Sequence, residues 1–270
     1  MAEGDTILRA ARAIEAALGG EALRVGAPNP RGRAAGVERL DGMTLEGVAA
    51  RGKHLLLDFG GLVLHSHLGM SGSWRVGAPG ASGGKGAPWA VLTGSRAEAA
   101  QRGGPTLRVL RSGRLAVDPV LSRLGPDLLA SGFDPGRAAA SLRRGGPARQ
   151  VGDALLDQRL VAGIGNVFKS EGCFEAGLDP WMPLGELAEE DLTGVLSATR
   201  ALMLAAVGGA GRPGRVYRRP GRRCPRCGAT IASAPQGDEA RTTYWCPGCQ
   251  GRERASPPRT PPGPSPPHRR

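Results

Sequence analysis

The chain opens on a helical period and then changes to a strand period. Across residues 5–20, Ile7, Ala10, Ala11, Ile14, Ala17 and Leu18 recur at three- and four-residue spacing, the stripe of an amphipathic helix. Asp5 or Thr6 stands where an N-cap is expected, and Gly19-Gly20 where the helix should end. Residues 37–76 alternate like strands, and Leu55–Phe59 and Leu62–Leu68 flank Gly60-Gly61, a hairpin turn signal. One more strand is expected at Trp89–Leu92, inside a Gly-, Ala- and Pro-rich stretch over 77–105. A second hairpin is expected to pair Leu107–Leu110 with Arg114–Val117. The first half therefore reads as one helix plus a β-sandwich or barrel.

From about residue 126 the period becomes helical. Two short helices are expected at Asp153–Leu160 and Asn166–Ala176, separated by Val161-Ala-Gly-Ile-Gly165, and a long one at Glu189–Val207. Residues 251–270 are rich in Pro, Arg and Ser, a composition expected to be disordered. There is no internal repeat.

Four cysteines carry the first chemistry. Cys224-Pro-Arg-Cys227 and Cys246-Pro-Gly-Cys249 are separated by eighteen residues, a spacing that fits a four-thiolate zinc site. Each C-x-x-C turn supplies two ligands, so two turns close a tetrahedral shell and leave no position for water. Such a zinc is structural. The segment between suits a β-hairpin of Ala229–Ala232 and Arg241–Trp245 around a turn at Pro235–Asp238, too short to bury a core without the metal. Two disulfides would need an oxidising compartment, and nothing else in the chain points to one. Cys173, left over in a helical stretch, reads as a core residue.

The formal charge of +12 changes the picture further, because such an excess favours a polyanion, most often nucleic acid. The segment 251–270 holds Arg252, Arg254, Arg259, Arg269 and Arg270 against Glu253, so most of the excess lies elsewhere. Lysine is scarce, with Lys53, Lys85 and Lys169 alone. Its compact, tunable ammonium is not copied by arginine, which singles out those three. No apolar run of transmembrane length and no signal segment is read in the chain, so a cytoplasmic, nucleoid-associated monomer without membrane contact is expected.

The segment Leu156-Asp-Gln-Arg-Leu-Val-Ala-Gly-Ile-Gly-Asn-Val-Phe-Lys-Ser-Glu171 resembles the helix–two-turn–helix motif of the formamidopyrimidine-DNA glycosylase/endonuclease VIII family. Ala240–Gln250 resembles that family's zinc ribbon, and Glu3-Gly-Asp-Thr6, Arg51-Gly-Lys-His54 and His67-Leu-Gly-Met70 match its other motifs in order. The resemblance implies a two-lobed α+β protein with damaged double-stranded DNA in the cleft. It divides the chain into an N-terminal β-sandwich with a leading helix over 1–125, a helical domain over 126–220, a ribbon over 221–250 and the tail over 251–270.

It also implies a base-excision repair enzyme that removes an oxidised base and nicks the strand. The nucleophile is the amine freed by loss of Met1, which here belongs to Ala2 where the family usually has proline. An α-amino group with a pKa of about 7.7–8.0 is partly neutral at cellular pH, unlike a lysine near 10.4. By resemblance Glu3 is the general acid/base, and Lys53 contacts phosphate and helps protonate the base or sugar. Asn166 caps its helix and contacts phosphate, with Lys169 one turn along adding a backbone contact. Met70 is the wedge behind the flipped nucleotide, His67 a phosphate contact and Arg241 the ribbon's phosphate clamp. His65 and His67 share a strand face, with no third metal ligand apparent.

The purine-directed branch carries an Asp-Pro-Arg-Arg-Phe-Gly loop, whereas the nearest stretch here is Asp118-Pro-Val-Leu-Ser-Arg-Leu-Gly125. The chain is therefore closer to the endonuclease VIII branch, which favours oxidised pyrimidines and abasic sites. The alternative is a protein that binds damaged or abasic DNA with weak or lost catalysis, because Ala2 replaces proline.

Overall fold

The computed structural model describes residues 2–81 and 85–251. Helix α1 spans Gly4–Leu18, with Ile7, Ala11, Ile14 and Leu18 buried as its spacing requires. Its N-cap is Glu3 rather than Asp5 or Thr6, because Asp5 already lies in the first turn and is held by Arg212.

Strand β1 is Arg24–Gly26, and a short helix α2 follows at Pro30–Ala34. Strands β2 (Gly47–Arg51), β3 (His54–Asp58) and β4 (Leu62–His67) form a meander, with Gly60-Gly61 turning the β3–β4 hairpin as expected. Strands β5 (Ser73–Gly77), β6 (Ala90–Thr93), β7 (Glu98–Arg102) and β8 (Thr106–Arg111) complete two antiparallel four-stranded sheets, ordered β1-β6-β7-β5 and β2-β3-β4-β8. One core joins them: Leu55, Leu57 and Leu64 of one sheet share it with Leu92 and Ala99 of the other and with the apolar face of α1.

Two expectations fail in this half. Residues 112–117 are a 3-10 turn, not the second arm of a hairpin, and β8 pairs with β4 instead. The backbone there closes on itself, with the Asp118 N–H donating to the Leu115 carbonyl. Strand β7 escaped notice because Glu98–Arg102 has no apolar alternation; its Glu98, Ala99, Ala100 and Gln101 are all buried.

The second lobe packs α3 (Pro135–Arg143), α4 (Val151–Ala154), α5 (Asn166–Glu175) and α6 (Glu189–Ala205) around one apolar cluster. Helix α4 is a single turn where eight residues were expected. Asp157 redirects the chain there, accepting from the backbone and guanidinium of Arg159 and from Arg149. By length and composition, Glu189–Ala210 could cross a bilayer, contrary to the reading of no such run. Its Leu192, Val195, Leu196 and Met203 are instead buried in the lobe's core.

Strands β9 (Ala232–Gln236) and β10 (Arg241–Trp245) form the ribbon hairpin. The first strand lies later than expected because Ala229 belongs to the first cysteine turn, its carbonyl accepting from the Cys224 N–H. Phe174, Val216, Cys224, Ile231 and Cys246 pack the ribbon against α5. The Pro- and Arg-rich tail lies outside the described residues beyond Gly251.

Candidate active site

The start of the chain is pinned into the second lobe. The carboxylate of Glu3 is fully buried and accepts from the N–H groups of Val167 at 2.9 Å, Gly165 at 3.1 Å and Phe168 at 3.3 Å. These are the free amides of the first turn of α5, where a negative charge meets the positive end of the helix. Capping of α5, expected from Asn166, thus comes from a residue more than 160 positions away. Burial still raises the Glu3 pKa above the ordinary carboxylate value, although the Val167 amide, Lys53 and Arg212 oppose the rise.

Three more links hold the lobes together. The Gly4 N–H donates to the Gly163 carbonyl at 2.9 Å. Arg212 forks onto buried Asp5 at 2.9 and 2.5 Å and reaches Thr6. The Gly52 N–H donates to Asp127 Oδ2 at 2.7 Å. Gly52 has φ +57°, and a Cβ there would sit 3.0 Å from the Ala162 side chain, so glycine lets the β2–β3 turn lie flat on the second lobe.

That turn presents Lys53. Burial lowers its pKa to about 8, with Arg241 adding to the fall and Glu3 and Glu239 resisting it. A cavity of about 170 Å³ opens beside it, lined by Ala2, Lys53, His67, Met70, Asn166 and Arg241 among others. The Ala2 nitrogen donates to the Gly69 carbonyl at 3.1 Å. Met70, 72% exposed, stands at the cavity's edge rather than in a core. Glu3 lies behind the wall, its carboxylate turned to the α5 amides.

Helix α5 also grips the ribbon. Asn166 Nδ2 donates to the Thr242 carbonyl at 2.8 Å, Lys169 Nζ to Thr243 Oγ1 at 2.5 Å, and the Tyr244 N–H to Ser170 Oγ at 3.5 Å. Among the described residues, Asn166 Oδ1 is buried without a hydrogen-bond partner. Lys169 is fully buried, which corrects its assignment to the DNA surface: the helical period turns it away from the cleft and under the hairpin. Burial lowers its pKa to about 8. Arg241 begins β10 one residue before this seam, paired with Glu239 at 2.9 Å.

The sequence reading missed Glu239, which lines the cavity, and Asp127, which pins the Lys53 turn. Neither has a local signal, since both act across the chain fold. It also missed His54. The third imidazole beside His65 and His67 comes from the neighbouring strand.

The four ribbon sulfurs all lie within 4.8 Å of one another, with Cys224–Cys249 at 3.7 Å and Cys227–Cys246 at 3.4 Å. A tetrahedral thiolate shell with bonds of about 2.3 Å separates its sulfurs by ~3.8 Å. The four residues fit one metal ion of that kind. Cys173 is buried, and its thiol is pushed up to about 12 by that burial, so it takes no part.

Comparison with known proteins finds similar chains over most of the length. Residues 1–109 match the formamidopyrimidine-DNA glycosylase N-terminal domain, and residues 124–214 the formamidopyrimidine-DNA glycosylase H2TH domain. The chain is 44% identical over 265 residues to a probable endonuclease 8 2 of Streptomyces coelicolor, covering 93% of this chain and 94% of that protein. It is 38% identical over 260 residues to a DNA-(apurinic or apyrimidinic site) lyase of Mycolicibacterium smegmatis, covering 93% and 99%. The fold superposes on a Lactococcus lactis formamidopyrimidine-DNA glycosylase bound to abasic-site DNA with a TM-score of 0.79, at 22% identity and covering 93% of this chain and all of that one.

Proposed function

The chain belongs to the formamidopyrimidine-DNA glycosylase/endonuclease 8 family of base-excision repair DNA glycosylases and lyases, and on that premise we propose that it removes oxidised pyrimidines from duplex DNA and then cuts the abasic strand. The observation that carries this reading is the convergence of Ala2, Lys53, Asn166 and Arg241 on one cavity, with Glu3 buried behind it.

With Met1 removed, the neutral Ala2 amine attacks C1′ of the damaged nucleotide. The C1′–base bond breaks and the base leaves with a proton. Glu3 adjoins the amine, and its raised proton affinity suits it to hand a proton to the opening sugar and take it back. A primary amine forms an imine that must be protonated to become the electron sink. Loss of the C2′ proton then expels the 3′ phosphate. Lys53, still mostly cationic at neutral pH, supplies charge at the phosphate or the departing base.

Arg241 binds phosphate bidentately, exchanging its contact to Glu239 for the DNA backbone. Asn166 lines the cavity with its Nδ2 held by the Thr242 carbonyl, and His67 adds a polar ring edge. Met70 fills the gap left by the extruded nucleotide, an apolar insertion that offsets part of a flipping cost of a few kcal/mol. Cys224, Cys227, Cys246 and Cys249 would hold one structural zinc, which stiffens the hairpin that carries Arg241.

Borohydride trapping on a duplex with a single abasic site tests the proposal. A covalent adduct is expected, and it should vanish when Met1 is retained. Tight binding to the same duplex with no adduct selects the second reading, a binding protein whose Ala2 amine does not turn over. Ala2 in place of proline is the observation that keeps that reading open. Faster release of 8-oxoguanine than of oxidised pyrimidines would overturn the lesion preference.

A further inference from the structure

His54, His65, His67 and Arg108 occupy one face of the β2-β3-β4-β8 sheet, the face turned away from the sandwich core. The register enforces this: His54 lies opposite His67, and His65 lies between Leu56 and Arg108. On the other face, Leu55, Leu57 and Leu64 fill the core. A polar row on a sheet face would ordinarily be wet, yet His65 is 1% and His54 8% exposed. The chain after β8 folds back there, where Asp118 accepts from the N–H groups of Val120 and Leu121 at 3.1 Å each.

The groups form a chain with one possible direction. Arg108 donates to Asp118 Oδ2 at 2.7 Å and, through Nε, to His65 Nδ1 at 3.0 Å. Arginine has no acceptor, so His65 Nδ1 must carry the lone pair and His65 Nε2 the hydrogen. His65 Nε2 lies 2.8 Å from His54 Nδ1 and therefore donates to it. His54 is thereby fixed as the Nε2–H tautomer. Burial first, and then the neighbouring rings and Arg108, lower the pKa of His54 to about 3 and that of His65 to about 4, so both are neutral. The ring of His67 stacks on His54 with centroids 4.7 Å apart and planes at 29°. His67 lines the cavity.

We propose that His54 and His65 are positioning residues: the Asp118–Arg108–His65–His54 chain locks the ring against which His67 stacks, so that His67 meets a DNA phosphate in one preset orientation. The inference rests on the reading of the cavity as the DNA site. A ring held before binding loses less rotamer freedom on contact, which raises affinity without a new contact. It also means that the segment after β8, through Asp118, takes part in shaping the cavity wall.

The test has two arms. Long-range nitrogen–proton NMR on the full-length, histidine-labelled protein should show His54 and His65 as neutral Nε2–H tautomers from pH 6 to 8. An Nδ1–H tautomer or a charged ring at either position at pH 7 overturns the chain. The second arm measures affinity for a duplex with a tetrahydrofuran abasic analogue. His54→Ala should bind about tenfold more weakly, while His54→Phe, which keeps a ring under His67, should return to within about threefold of the wild type. A His54→Ala protein that binds as well as the wild type, or a His54→Phe protein as weak as it, overturns the stacking role. If the wild type shows no preference for the abasic duplex, the cavity reading itself falls and the positioning role with it. The tautomers still report on the hydrogen-bond chain independently.

Discussion

Glu3 and Gly165 share a space that holds only one side chain: a Cβ on Gly165 would lie 2.3 Å from the Glu3 carboxyl carbon. The same carboxylate accepts from the Gly165 N–H. Gly165→Ala is therefore expected to expel Glu3 and uncap α5, at a cost of roughly 2–4 kcal/mol. Glu3→Gln keeps the shape but turns an amide donor towards helix amides, and it removes the proposed proton carrier. Adduct formation with abasic DNA, measured per folded molecule, should fall at least about a hundredfold in Glu3→Gln. Trapping at the wild-type rate in that variant would remove Glu3 from the chemistry.

The lowered pKa of Lys53 sets a pH window. On the proposed mechanism the Ala2 amine must be neutral to attack, so the acid limb of kcat/KM should follow an α-amino group of about 7.7–8.0. Lys53 loses its charge near pH 8, well below the ordinary lysine value. The profile should be a narrow bell centred near pH 8. In Lys53→Arg the charge persists to high pH, and the alkaline limb should disappear even if the maximum is lower. An unchanged alkaline limb would mean that another group titrates there.

Lys169 separates a buried tie from a DNA contact. Its Lys169→Met variant should keep the salt dependence of DNA binding, because no phosphate contact is lost. Its stability should differ from that of the wild type in a defined direction. Between about pH 8 and the ordinary lysine pKa, the folded protein binds fewer protons than the unfolded chain at this residue. Wild-type stability relative to Lys169→Met should accordingly rise with pH across that range. Denaturant melts of both proteins at pH 7 and pH 10 check the sign.

Arg241→Ala should retain metal, since the residue touches none of the four sulfurs, and should weaken binding to damaged and undamaged duplex alike. Its slope of log affinity against log salt should be shallower by about one. Chelation should go further, loosening the hairpin and disturbing the α5 seam at Thr242–Tyr244. Metal analysis should return one zinc per chain. Full DNA affinity in a metal-free protein would separate the ribbon from binding.

The architecture was legible where a local pattern had a local cause. The stripe from Ile7 to Leu18, the Gly60-Gly61 turn and the paired C-x-x-C turns each state their own structure. Legibility ended where partners come from far away. Nothing in Arg114–Val117 says that β4, and not this run, will pair with β8. The period of α5 places Lys169 one turn from Asn166, but only the docked hairpin decides that one faces the cavity and the other a threonine. His54 looked like the end of a turn until the register set it beside His65 and His67.

The dependence of α5 on Glu3 has a consequence for synthesis. A ribosome releases the amine-bearing end first, and the sandwich can begin to form long before residue 165 emerges. The third residue then waits, its carboxylate without the amides it is shaped to meet, until the helical lobe arrives and closes over it. An abandoned nascent chain would carry the N-terminal segment without Glu3 seated on the α5 amides. On the proposed chemistry, reactivity towards DNA would belong only to molecules whose beginning and far interior have both been made.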